Sequence, residues 1–200
     1  MSDAAPAAAP ASRRRLAPFV ALAIAAVLGS LFWVLARGGG GDTSSTGVVE
    51  SHLLGRAAPA MEADTVDDGT FDLSRRKGSW VVLNFFNSTC VPCKAEHPEL
   101  VQFVAQQQSI GAEGAEFYTV MQYDDDVDRV RAFFADRGGD WPVVIDDAGR
   151  IFVSFGVAQV PETFIIDPDG VVRVRWAGQI DAAQLAVLVQ QQRDLYELGA

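Results

Sequence analysis

Cys90 and Cys93 are the only cysteines in the 200-residue chain, and they stand three apart in "NSTCVPCKAEHP", Asn87 to Pro98. A thiol reacts as its thiolate. The pair follows an apolar run, "SWVVLNFF", and precedes "AEHPELVQFVAQQQ", whose Leu100, Val101, Phe103 and Val104 recur at helical spacing. Cys90 therefore stands ahead of a helix and Cys93 about one turn inside it. Unpaired N–H groups and the helix dipole favour an anion there by up to about 2 kcal/mol, enough to lower a thiol pKa by about 1.5. Cys90 is the expected attacking thiol and Cys93 the resolving one. Three-residue spacing on a nascent helix brings the sulfurs within bonding range. Pro92 is tolerated because first-turn N–H groups have no helical partner. Glu96, three residues past Cys93, falls on the same side of the helix. If buried, it can exchange a proton with a thiol; otherwise it is an ordinary solvent-facing first-turn glutamate.

Other chemistries fit the pair less well. Cys90, Cys93 and His97 supply three metal ligands at most, whereas closed structural zinc takes four, and His52, the other histidine, lies in a linker. A static disulfide suits an oxidising compartment, but closing so short a loop stabilises little on the chain-entropy account. A redox-active disulfide with no further cofactor and no metal is the expected centre.

Several elements must position it. "SWVVLNFF" reads as a strand buried on both faces, and "AEFYTVMQ" as a second strand. "DDDVDRVRAFFADRG" reads as a helix ending at Gly138. "WPVVID" and "TFIIDPDGVVRVRWAG" supply further strands, the latter turned at Asp167–Gly170. "DAAQLAVLVQQQRDLY" closes the chain as a helix, and Asp67-Asp68-Gly69 marks an earlier hairpin. Alternating strands and helices with a late antiparallel hairpin predict an α/β fold, a central mixed sheet flanked by helices. The cysteines then sit at the carboxyl edge of a central strand, where such folds do their chemistry.

The N-terminus sets the compartment. Leu16 to Ala36 is 21 residues without a charge, preceded by Arg13-Arg14-Arg15. Its length suits a transmembrane helix, and the arginines hold the N-terminus in the cytoplasm. A cleaved signal peptide is the rival, with Val34-Leu35-Ala36 as the cleavage site, although its apolar region would be unusually long. Either way the remainder is extracytoplasmic. The expected organisation is a cytoplasmic tail at 1–15, an anchor at 16–36, a flexible Gly/Ser-rich linker at 37–54 and one domain at 55–200. Asp and Glu number 26 against 16 Lys and Arg, and no basic patch lies beyond the N-terminus. That excludes nucleic acid as a natural partner.

From about Gly55 onward the chain resembles the thioredoxin-like fold, and most of all the membrane-anchored thiol:disulfide oxidoreductases of the TlpA/ResA/CcmG (DsbE) type. "VVLNFFNSTCVPCKAEHP" is similar to that family's strand, C-x-x-C and following glutamate; "GVAQVPETFIIDPDGVVRVRWAG" is similar to its second signature. The resemblance implies that Cys90 is the nucleophile, Cys93 its resolving partner and Glu96 the proton-relaying acid. It implies a cis-proline at Pro161 facing the pair, with Val160 offering backbone groups to an extended substrate and Glu162 as a second site residue. It also implies exported cysteine-containing partners such as apocytochrome c, as in cytochrome c maturation, and a membrane thiol electron donor. The chain departs from the family pattern at Thr89, where tryptophan is usual before the first cysteine, and at Phe86-Asn87. Two rival functions use the same residues. One is a disulfide-forming oxidase; the other is a copper or zinc chaperone built on Cys90, Cys93 and His97. A thiol peroxidase is disfavoured, because Cys90 lacks the P-x-x-x-T-x-x-C surroundings such enzymes resemble.

Overall fold

The computed structural model describes residues 17–38 and 47–199, with side chains at 18–30 and 47–199. The chain divides into two compact units, Met1–Thr43 and Ser44–Ala200. In the first, α1 spans Ala17–Gly38, across nearly all of the run expected to be an anchor. Phe19, Leu22 and Val27 are exposed on it. Among the described residues no helix is long and apolar enough to cross a membrane, so the anchor expectation rests on the sequence. The expected tail, Leu16 and residues 39–46 of the expected linker lie outside the described residues.

The second unit runs β1 (Gly47–Val48), β2 (Glu62–Asp64), β3 (Thr70–Asp72), β4 (Val81–Phe86), α2 (Val91–Ile110), β5 (Glu116–Met121), α3 (Val127–Arg137), β6 (Val143–Ile145), α4 (Arg150–Phe155), β7 (Glu162–Ile166), β8 (Val172–Ala177) and α5 (Ala182–Gly199). Six strands form one sheet in the order β1-β8-β7-β4-β5-β6, and β2 with β3 form a separate hairpin. β4 pairs parallel to β5 and antiparallel to β7. The sheet is therefore mixed, as expected, with β4 inside it.

All of β4 is buried, for a period-2 reason. Val81, Leu83 and Phe85 point into a core with Phe152 and Phe155 of α4 and Phe71 of the hairpin. Val82 points the other way, into a core with Leu100 and Phe103 of α2 and Leu185 and Val189 of α5. Asn84 shares that second parity and is the one polar side chain in the run. Phe86, at the carboxyl end, joins Cys93, Met121, Val130 and Phe133 in a third cluster under the cysteines.

The folded unit also takes in residues assigned above to the linker. Gly47 and Val48 pair with Ala177 and Trp176, Val49 N donates to Arg175 O, and Leu53 is buried. β8 would otherwise be an open sheet edge, and this short strand covers it.

Candidate active site

α2 begins where β4 ends. Cys90 is its N-cap, and Cys93 N–H donates to Cys90 Sγ at 3.1 Å. Pro92 lies in the first turn. The two cysteines form a disulfide with Cα atoms 5.3 Å apart. Cys90 is half-buried, whereas Cys93 is 1% exposed, so an incoming group meets Cys90 first. Cys90 Sγ lies 3.7 Å from the carbonyl oxygen of Val160, and the Val160–Pro161 peptide is cis. The two segments with family resemblance thus meet at the sulfur, though they are 70 positions apart in sequence.

Glu96, three residues past Cys93 on α2, is buried, with Oε1 accepting from Ile180 N at 3.1 Å and Oε2 from Asn84 Nδ2 at 3.4 Å. Burial pushes its carboxyl up to about 8; the bonds from Ile180 and Asn84 oppose the rise without cancelling it. The solvent-facing alternative is excluded by this placement. Sequence reading missed Asn84. Its amide also donates to Thr163 Oγ1 at 3.2 Å, across the β4–β7 register. The available signal was one amide in an otherwise apolar strand, which in a sheet covered on both faces must find a buried partner.

The loop before Cys90 departs from the family pattern, and here it is held by hydrogen bonds. Asn87 Oδ1 accepts from Thr89 N at 2.8 Å and from Thr89 Oγ1 at 2.6 Å. Asp125, from the loop after β5, is buried and accepts from Ser88 N and Ser88 Oγ, and from Asp126 N. Arg129 completes the set at 3.5 Å. Replacing Asp125 by alanine strands the Ser88 N–H and hydroxyl in a buried place, so Asp125→Ala is expected to cost about 2–4 kcal/mol in urea unfolding. Asp125→Asn retains one acceptor and should lose clearly less.

One expectation, Glu162, and one rival reading, His97 as a metal ligand, are placed differently by the geometry. Glu162 neither reaches outward to a substrate nor lies at a solvent-facing strand end. It is 2% exposed and bound to Arg175, with Nε to Oε2 at 2.7 Å and Nη2 to Oε1 at 3.1 Å. A strand residue after a cis-proline takes whichever face the pleat dictates, and here that face is covered by α4 and the Arg175 guanidinium. His97 is not gathered with the cysteines as a third ligand. It is buried among Phe133, Phe134 and Trp141, its Nε2 is 2.8 Å from Gly138 O, and burial holds its pKa down. Among the described residues no group of three or more His, Cys, Asp or Glu could hold a metal.

The chain is similar to several known proteins. The AhpC/TSA family matches residues 54–175. The chain is 32% identical over 160 residues to the thiol:disulfide interchange protein DsbE of Escherichia coli (strain K12), covering 78% of this chain and 81% of that one. It is 32% identical over 131 residues to the thiol:disulfide interchange protein HelX of Rhodobacter capsulatus, covering 64% and 70%. It is 29% identical over 136 residues to the thiol-disulfide oxidoreductase ResA of Bacillus anthracis, covering 68% and 76%. Among solved structures, MTB DsbF superimposes with a TM-score of 0.59 at 26% identity over 66% of this chain and 93% of that one. A thioredoxin family protein from Chlorobium tepidum TLS shares the fold, with a TM-score of 0.61 at 23% identity over 72% and 98%. The chain belongs to the AhpC/TSA family of thioredoxin-like proteins and is a thiol–disulfide oxidoreductase of the DsbE and ResA type, with its own cysteine pair as the redox-active group.

Proposed function

We propose that this protein reduces disulfides in exported cysteine-containing proteins, apocytochrome c among them, at the outer face of the cytoplasmic membrane. The observation that carries the reading is the division of labour at the centre: an accessible Cys90 at a helix N-terminus, a buried Cys93, and a buried carboxyl raised to about 8 one turn further on. The Cys90 thiolate attacks a target disulfide, forming a Cys90–target disulfide and releasing the other target sulfur as thiolate. Glu96, as carboxylate, takes the proton from the Cys93 thiol. The Cys93 thiolate then attacks Cys90 Sγ, closing the Cys90–Cys93 disulfide and freeing the reduced target. A carboxyl raised to about 8 is a stronger base than an ordinary glutamate, so less free energy is lost when it takes a thiol proton. Val160, the residue before cis-Pro161, lies against Cys90, where an extended target segment can pair with the Val160 backbone. A membrane thiol donor re-reduces the pair.

The domain is tethered by the 16–36 run, supported by its length, the preceding arginines and the exposed apolar side chains of α1. The segment 1–15 is its cytoplasmic tail, and residues 37–46 with the chain up to the domain form the tether. The oxidase alternative uses the same atoms in reverse, and the reduction potential separates the two. A fragment beginning at Ser44, which retains β1, is equilibrated in thiol/disulfide buffers. A value near that of thioredoxin, about −270 mV, supports reduction; one near that of DsbA, about −120 mV, reverses the assignment.

A further inference from the structure

Glu162 and Arg175 form a clamp whose other contacts run to the segment beside Cys90. Phe164 is paired with Arg175 and Glu162 with Ala177, so the two charged residues are diagonal neighbours on one sheet face. The guanidinium lies 5.7 Å from the centre of the Phe164 ring. Besides gripping Glu162 with Nε and Nη2, it donates from Nη2 to Gly156 O at 2.9 Å. Ala158 N in turn donates to Glu162 Oε1 at 3.4 Å. The ion pair thus ties down Gly156 and Ala158. These begin the short connection from α4 to β7, which runs through Val160, whose carbonyl faces Cys90 Sγ, to Pro161. The far end is held separately, by Gly178 N donating to Pro161 O at 2.9 Å.

We infer that Arg175, acting through Glu162 and Gly156, is a positioning residue that sets where the Val160 backbone stands and so how an extended target chain seats against Cys90. This rests on the proposed docking at Val160. A planar guanidinium can serve both carboxylate oxygens and the Gly156 carbonyl at once; a lysine ammonium at the same place is a single point of contact. The clamp touches neither sulfur nor Glu96, so it governs the seating of a target more than the chemistry that follows.

The test uses the full chain with Arg175→Met, Arg175→Lys and the double variant Glu162→Gln/Arg175→Met. The double variant removes both charges, because Arg175→Met alone leaves a buried carboxylate unpaired and can fail to fold. Reduction of a short peptide with one internal disulfide is compared with reduction of hydroxyethyl disulfide. The KM for the peptide should rise roughly tenfold in the double variant, the range expected from slight misplacement of a positioning group, and less in Arg175→Lys. The kcat, the pH profile and the reduction potential should stay close to wild type. A folded double variant with unchanged peptide KM, or one that slows on both disulfides in parallel, overturns the role of Arg175. A wild-type protein showing no preference for the peptide overturns the docking reading itself, and the inference with it.

Discussion

Glu96→Gln should make the oxidised domain more stable than wild type in alkaline solution, by an amount that grows with pH and then levels off. The folded carboxyl is raised from 4.5 to about 8 by burial. Below pH 4.5 both folded and unfolded chains hold the proton, and the group contributes no pH dependence. Between about 4.5 and 8 the folded chain keeps a proton that the unfolded chain releases, so stability falls as pH rises. Above 8 both are ionised and the loss is complete. At about 1.4 kcal/mol per pKa unit the full loss is on the order of 5 kcal/mol. Glutamine is neutral throughout and nearly isosteric. Its carbonyl can accept from Ile180 N, and its amide is accommodated if Asn84 turns its own amide over to present oxygen. Urea unfolding of the oxidised Ser44–Ala200 fragment at pH 5, 7 and 9 would show the difference directly. A constant offset between variant and wild type across that range would show that Glu96 ionises normally in the folded state. The same substitution should remove the inflection near pH 8 from the rate at which Cys93 resolves a mixed disulfide, because the base that takes its proton is gone.

The elements with a strong period or a sharp terminus were legible in the sequence, whereas features created by distant chain segments were not. β4 was readable because six consecutive buried residues leave an apolar run, and α3 because Asp126 caps its start and Gly138 its end. β1 was hidden within a Gly/Ser tether: two residues gain their strand character only from the edge of β8. α4 escaped because six residues are too few to display a helical period. Its limits are set by Gly149 and Gly156, both left-handed, which read equally well as loop glycines. At the site, Cys90, Cys93 and Glu96 announce themselves by local spacing, and Pro161 by family resemblance. Asn84, Asp125 and Arg175 depend on partners 12, 37 and 13 positions away. Glu162 shows the limit most plainly. Resemblance placed it beside the substrate, but its direction depends on the β7 pleat and on an arginine of the next strand, neither of which a motif encodes.

The two cysteines should behave unequally when each is replaced by serine. Cys90→Ser is expected to remove disulfide reduction to below roughly a thousandth of wild type, the scale on which loss of a nucleophile acts. Cys93 cannot substitute, because it is 1% exposed and packed against Phe86, Met121 and Phe133, so a target disulfide has no route to it in line with its sulfur. Cys93→Ser keeps the attacking thiol at the α2 N-terminus, with the residue 93 N–H still available to stabilise its anion. It should therefore attack at a rate near that of wild type and then stop, accumulating a covalent Cys90–target adduct. Non-reducing electrophoresis and intact mass of each variant, mixed in turn with a disulfide-bonded peptide, distinguish the possibilities. An adduct on Cys93→Ser and none on Cys90→Ser fixes the order of attack as Cys90 then Cys93. An adduct on Cys90→Ser would mean that the first turn of α2 opens in solution far enough to expose Cys93. The resolving proton transfer would then have to begin from a carboxyl no longer enclosed, and both the raised pKa of Glu96 and the pH inflection should vanish together.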